Sequence, residues 1–313
     1  MKSAALDYEL PPELIAQTPT ARRDESRLLV FDRRTGAVRH RLFAELGEEL
    51  AGELVVVNDT RVVPARLHLT RATGGRAEVL LLERLAGEGL WEGLARPSAR
   101  LRVGERLGPV ELIQPLGEGR WRLRLHGPVE GEAPLPPYIT APLADPERYQ
   151  TVYARDEGSA AAPTAGLHFT PELLARLAVE RVTLHVGLDT FRPLTVDDLA
   201  EHRIHGERYA VLPAAWERIR AAERVLAVGT TTVRTLETVA ADGPLAGRTE
   251  LFITPGFAFR RVDALLTNFH LPRSTLLALV MAFAGIEETR ELYRVAVTER
   301  YRFFSFGDAM LVL

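Results

Sequence analysis

The stretch GELVVVNDTRVVPARL, Gly52 to Leu67, decides how this chain is organised. Its first half is a wholly apolar strand, Leu54 to Val57. That strand ends abruptly in Asn58, Asp59, Thr60 and Arg61, and no helical pattern follows to pair with it. Instead, residues 61 to about 135 break into short, partly alternating strands: ARLHLT, AEVLLLE, RLRVGE, VELIQ and RWRLRLHG. The turns TGG, GEG, GP and LGEG punctuate them, the spacing of an all-β barrel or sandwich. A Pro-rich connector, APLPPYITAPLADP, closes the block.

From about residue 150 the pattern becomes α/β. Thr170 is an N-cap with Pro171 at the first helical position, and a strand ending in LHVG follows. LTVDDLAEHR opens with a Thr195-x-x-Asp198 capping box. LPAAWERIRAAERVLAVG reads as a helix and a buried strand, TTTVRTLETVAA as a helix, and TELFITPG as a strand. STLLALVMAFAG is a buried helix capped by Ser274, and ETRELYRVAVTERYRFF is amphipathic. Helices alternating with strands imply a layered α/β domain. The expected organisation is therefore a discontinuous α/β catalytic domain, 1–61 and 150–313, carrying an inserted barrel-like β domain, 62–149.

Composition narrows the chemistry. The 313 residues include no Cys, which excludes disulfides, thiolate nucleophiles and Cys-based zinc sites. Lys2 is the only lysine, so a Schiff-base or P-loop lysine is excluded too. The start of the chain has no apolar segment of signal-peptide type, and TLLALVMAFAG is too short to span a bilayer. A soluble, cytoplasmic monomer is expected. Residues 61–130 hold 12 Arg and 8 acidic residues, net +4, against 27 basic and 34 acidic residues, net −7, in the remainder.

Four polar constellations stand out. Gly229-Thr230-Thr231-Thr232 follows a buried strand and opens a helix, where free N–H groups and hydroxyls attract a carboxylate or phosphate; one Thr capping the helix is the plainer alternative. No glycine-rich dinucleotide fingerprint accompanies it. The histidines 168, 185, 202, 205 and 270 fall near predicted strand ends, as at an active-site rim; His202-x-x-His205 also has metal-ligand spacing. Asp59 and Arg61 are an ion pair, or Asp59 is a general base or a ligand for a ribose diol. YRFFSFGDAM, 301–310, is core or a stacking surface for a base. Asn occurs only at 58 and 268, each in a polar strip, which points to specific amide hydrogen bonds.

None of these residues alone names a substrate; they leave open a metal-dependent hydrolase built on the histidines and a non-catalytic RNA-binding protein using the β module. Eleven strings in order along the chain bear on the choice. They are DYELPPELIAQTP, NDTRVVPARL, PLPPYIT, YQTVYA, APTAGLHFT, LHVG, EHRIHGERY, AVGTTTVRTLE, LFITPGFAF, LLTNFHLPRSTLL and YRFFSFGDAML. Together they resemble the S-adenosylmethionine:tRNA ribosyltransferase-isomerases of queuosine biosynthesis. The resemblance departs at Asp189, where Gly is expected, and at Phe257 and Phe306, where Tyr is common.

The resemblance implies ribosyl transfer from S-adenosylmethionine, a consumed substrate rather than a cofactor, to a modified wobble base in tRNA. It implies no metal. His168, His270 and Asp59 are the catalytic candidates, with Asp308 the next carboxylate to consider. Asn58, Arg61, His185, Thr230, Thr231 and Arg234 are candidate substrate-binding residues. Asn268, Arg273, Tyr301, Arg302 and Asp308 complete that set. Asn268, His270 and Arg273 would form a ligand-facing strip, the amide for a base edge, the imidazole for a proton and the guanidinium for an anion.

The charge asymmetry yields a prediction. A tRNA lying across both domains should meet Arg side chains of 61–130 with its phosphates. Each phosphate partner removed in paired Arg→Ala variants should flatten the slope of log K against log salt by about 0.7–0.9. Binding titrations at several salt concentrations check this; unchanged affinity and slope would rule the block out.

Overall fold

A computed structural model describes residues 1–187, 194–204 and 206–313. After short 3-10 turns, β1 (Arg27–Asp32) and β2 (Ala37–Leu42) form a hairpin, followed by α1 (Leu46–Glu49), β3 (Leu54–Asn58) and β4 (Thr60–Val62). Six strands come next: β5 (Arg66–Thr70), β6 (Arg76–Arg84), β7 (Leu90–Arg96), β8 (Arg106–Leu107), β9 (Val110–Gly117) and β10 (Arg120–Leu125). The chain returns through β11 (Asp156–Ser159), α2 (Pro171–Leu174), β12 (Val179–Leu184), β13 (Glu207–Ala210), α3 (Pro213–Ala221) and β14 (Val225–Val228). It finishes with α4 (Thr230–Ala240), β15 (Ala246–Thr249), β16 (Ala264–Asn268), α5 (Thr275–Ala284), α6 (Ile286–Thr298) and β17 (Ala309–Val312).

Nine strands make one sheet in the order β15-β13-β12-β3-β14-β16-β17-β1-β2. Its centre, β12-β3-β14-β16, is parallel. Successive side chains of a strand point to opposite faces, and the run Val55-Val56-Val57 serves both. Val56 packs with Leu236, Leu277 and Leu292 from α4, α5 and α6. Val55 and Val57 pack on the other face with Phe43, Leu46, Phe169 and Leu173, from short turns and one-turn helices. The result is a layered α/β domain, as the sequence predicts.

The inserted strands form a second, barrel-like sheet, β5-β6-β7-β10-β9-β8, antiparallel throughout. In β10, Trp121, Leu123 and Leu125 turn inward and Arg122 and Arg124 outward. Its core gathers Val79, Leu81, Trp91, Leu107, Leu112 and Trp121. Where the chain leaves and re-enters the α/β domain, β4 and β11 lie side by side as a parallel pair, Thr60 opposite Asp156.

The helix signals hold where a side chain does the capping. Thr170 accepts from Leu173 N with Pro171 in the first turn, and Ser274 accepts from Leu277 N. Three local readings need correction. The Thr195-x-x-Asp198 box does not form; Asp198 itself is the N-cap, accepting from Ala200 N ahead of the 3-10 turn Leu199–Glu201. TELFITPG is not a strand beyond Thr249, because the Arg234 guanidinium takes the carbonyls of Thr249 and Leu251 and leaves the backbone no ladder. RLRVGE, residues 100–105, forms no strand: Gly104 at φ +78° turns the chain, Val103 is left exposed, and pairing begins only after it, at Arg106–Leu107. Among the described residues no helix is long and apolar enough to cross a membrane.

Asn58 is the most heavily bonded side chain at the sheet's centre. Its Nδ2 donates to Leu184 O and Thr231 Oγ1, while its Oδ1 accepts from Leu184 N and Thr60 N. Asn58→Ala would strand two buried N–H groups, each costing about 1–3 kcal/mol. Arg61 pairs with Glu147 at the surface, an ion pair worth about 0–1 kcal/mol. Urea denaturation should therefore separate Asn58→Ala clearly from Arg61→Ala; equal midpoints would refute the role given to Asn58.

Candidate active site

The parallel strands deliver their carboxyl ends to one edge: Leu184, Asn58, Val228 and Asn268. That edge is where open α/β sheets bind ligands. Over β14 and β16 lies a small cavity of about 60 Å³, with Gly229, Thr230, Thr231, Asn268 and His270 in its walls. Among the described residues, none of the side chains lining it is Asp, Glu, Lys or Arg.

Gly229 makes the entry to α4. Its φ of +84° suits glycine, and its N–H donates to Leu266 O. No side chain caps α4, so the N–H groups of Thr230 and Thr231 have no partner among the described residues. Thr232 Oγ1 donates to Val228 O, and Thr231 Oγ1 accepts from Asn58. The alternative in which one Thr caps the helix is thereby excluded.

His270 is held on every side. Its Nε2 lies 2.7 Å from Thr267 Oγ1, its N–H donates to Tyr293 Oη, and its carbonyl accepts from Tyr8 Oη. Burial pulls the ring's pKa down to about 3. His168 lies deeper, lining neither cavity, with Nδ1 2.7 Å from Ser26 Oγ and its ring against Phe43. Burial lowers its pKa to about 4, while the Asn268 carboxamide pulls weakly the other way. Both rings are neutral near pH 7. His168 Nε2 and Asn268 Oδ1 are buried without hydrogen-bond partners, whereas Asn268 Nδ2 donates to Phe304 O.

A second, larger cleft of about 680 Å³ lies between the barrel-like sheet and this edge. Glu83, Arg84 and Arg120 face it from the barrel, and His185, Arg208 and Phe252 from the α/β domain. The two spaces share Val186 and Leu276 as walls. His185 bonds Thr60 Oγ1 through Nδ1, and burial lowers its pKa. Arg234 lines the cleft but is spent on Glu207, Thr249 O and Leu251 O.

Other candidates sit elsewhere. Asp59 does not pair with Arg61; it meets Arg155 Nε at 2.5 Å and accepts from Thr183 Oγ1, because β11 brings Arg155 to it while Arg61 points to Glu147. Arg273 does not join Asn268 and His270 in the cavity wall; its left-handed backbone, φ +52°, sends the guanidinium toward Ser3 Oγ. Tyr301 is core, bonded to His40 Nδ1 and covered by Arg27. Asp308 binds the N–H groups of Arg27 and Arg302, and the Arg302 side chain reaches Thr18 O. Phe303, Phe304 and Phe306 are all buried; Phe304 closes one side of the small cavity. Phe257 meets Phe259 edge to face. His202 lies against Phe252, and no cluster of three His, Asp or Glu able to hold a metal occurs among the described residues. His205 and Asp189 lie outside them. Sequence reasoning missed Ser26 and Thr267, which hold the two imidazoles, and Tyr8 and Tyr293, which hold the His270 backbone; Ser26 is 142 positions from its histidine, so no local pattern links them.

Comparison with known proteins agrees with this architecture. A family model described as "Queuosine biosynthesis protein" matches residues 3–312. The chain belongs to that family. It is 53% identical to the S-adenosylmethionine:tRNA ribosyltransferase-isomerase of Rubrobacter xylanophilus, covering 100% of this chain and 98% of that one. It is 54% identical to the protein of that name from Moorella thermoacetica, over 100% of both. The crystal structure of S-adenosylmethionine tRNA ribosyltransferase from Thermotoga maritima matches with a TM-score of 0.58 and 40% identity, covering 99% of this chain and 100% of that one. This member of the queuosine biosynthesis family is an enzyme of the transferase class.

The buried histidines set a pH dependence. Their folded pKa values, about 4 and about 3, lie below the ordinary value of about 6.5. Below pH 6.5 the unfolded chain takes up protons that the folded enzyme refuses. Stability is therefore full above 6.5 and falls as pH drops toward 4, by at most about 1.4 kcal/mol per pH unit for each ring. Urea midpoints between pH 7 and 5 should fall less steeply in His270→Gln than in the parent; equal slopes would contradict a neutral, buried His270.

Proposed function

We propose that the enzyme transfers and isomerises the ribosyl moiety of S-adenosylmethionine onto the aminomethyl group of 7-aminomethyl-7-deazaguanine at the tRNA wobble position. The products are epoxyqueuosine in tRNA, adenine and methionine. The observation that carries this reading is full-length identity of about half to relatives named S-adenosylmethionine:tRNA ribosyltransferase-isomerase. The geometry supports it with a small uncharged cavity opening beside a large charged cleft, at the edge where four parallel strands end. No cofactor is needed, since the sulfonium itself activates the sugar.

The chemistry asks three things of the protein. A base must remove a proton from the 5′ carbon, which the adjacent sulfonium acidifies. The departing adenine must be protonated. The acceptor amine must be neutral to attack. His270 is the imidazole in the cavity wall, and its burial keeps it unprotonated near pH 7. Unprotonated, it is able to accept a proton and not to donate one, though burial also weakens it as a base. His168 reaches the cavity only through Asn268, so it acts as a positioning residue.

Single-turnover release of adenine from S-adenosylmethionine, with and without tRNA carrying the aminomethyl base, tests the proposal. Release should require that base. His270→Ala should slow it by about 10²–10⁴-fold, with donor and tRNA affinities moving far less. Release indifferent to the modified base would overturn the reaction; an unchanged rate in His270→Ala would move the search for the base to the charged cleft.

A further inference from the structure

We infer that the small cavity is a receptor for a zwitterionic α-amino acid head, and so holds the methionyl end of the sulfonium donor. This rests on the reaction proposed above and assigns one end of its substrate to one place.

Four observations converge. The first is charge: among the described residues the ionisable side chains lining the cavity are His270 and Tyr138, both neutral near pH 7, and the His270 ring is buried and bonded to Thr267. A lone phosphate or carboxylate buried there would have no counter-charge, which is costly. A zwitterion brings its own. The second is the pair of free N–H groups at Thr230 and Thr231, at the start of an eleven-residue helix. Thr231 Oγ1 accepts from Asn58, so its hydroxyl hydrogen remains available. Together they suit a carboxylate. The third is Asn268, 2% exposed, in the cavity wall; its Oδ1 makes no well-aligned hydrogen bond, and with His168 beside it one acceptor position is left for a ligand. A carbonyl oxygen has two acceptor positions. It repels a phosphate oxygen and welcomes an ammonium. The fourth is size. A volume of about 60 Å³ at roughly 10–15 Å³ per water-sized atom admits about four to six heavy atoms. A carboxylate, its α-carbon and an ammonium make five; a purine ring is too large.

The rest of the donor has somewhere to go. Val186 and Leu276 wall both spaces, so a chain leaving the amino acid head passes between apolar side chains into the 680 Å³ cleft. That cleft has room for a nucleoside, and its Phe252 and Leu251 offer an apolar surface beside the charges.

Equilibrium binding to the full chain without tRNA tests the assignment. The probes are S-adenosyl-L-methionine, its decarboxylated analogue and inorganic phosphate. The decarboxylated analogue should bind about tenfold more weakly, the effect of removing one charge-assisted hydrogen bond. Phosphate should not displace S-adenosyl-L-methionine. Thr230→Pro deletes one free N–H at a position where proline suits the first helical turn. It should weaken the parent ligand and leave the decarboxylated analogue unaffected. The analogue comparison in the unsubstituted protein stands even if that variant fails to fold. Equal affinity for the two sulfonium ligands, or displacement by phosphate, would overturn the head site while leaving the reaction intact. Failure of S-adenosyl-L-methionine to bind at all, together with no adenine release when tRNA is present, would overturn both.

Discussion

Everything at the catalytic edge depends on one buried carboxamide. Asn58 ends the central strand where backbone groups of three directions meet, and it satisfies Leu184 on β12, Thr60 on β4 and Thr231 on α4 at once. A buried polar backbone group left unpaired costs more than a typical hydrogen bond returns. A shorter or apolar side chain here would leave the strand end, the helix start and the exit to the barrel each without a partner. Asp59 completes the junction from the next position, holding Arg155 and Thr183 and taking the N–H groups of Arg155 and Asp156 on its carbonyl. Neither residue faces a cavity. Their work is to fix where the facing groups stand.

The two cavities divide by charge. Backbone N–H groups, hydroxyls, one carboxamide and a neutral imidazole make up the polar part of the small cavity. Arginines and carboxylates crowd the large cleft, several of them already paired, as Arg248 is with Glu83 and Arg234 with Glu207. Fixed dipoles in a dry space need no reorganisation when a ligand arrives. Mobile surface charges suit a long polyanion that docks and leaves. The division follows from topology: helix starts and strand ends build the first space, while barrel loops and the domain seam build the second.

Much of this was legible in the sequence, and the failures have physical causes. Caps read well because they are local: Thr170 with Pro171, and Ser274, act within one turn. The inserted barrel read well because its turns are written in glycine. The hairpin β1–β2 and the last strand β17 did not, since AMLV is only four residues and gains its meaning from distant partners, β16 and β1. At the site, the Gly229–Thr231 turn and Asn268 with His270 were visible as polar strips in apolar surroundings. Arg273 looked like a third member of that strip, yet one residue in left-handed backbone turned it outward. His168 was recognisable, but its depth was not, because Ser26 and Phe43 meet it only in three dimensions.

The pairing of β4 with β11 has a consequence for how the chain is made. The central strand β3 is complete by residue 58, but its neighbours β12 and β14 begin at residues 179 and 225. During synthesis the apolar Val55-Val56-Val57 edge must therefore wait, unpaired, for more than a hundred residues to follow it. All six strands of the barrel find their partners within residues 66–125, so that module is able to finish first. Once it has folded, the separation that matters is no longer the contour of the insert but the short gap between its two feet. A folded insert thus shortens the search for the long-range pairings of the sheet, and the window in which an exposed strand edge is vulnerable to aggregation narrows with it.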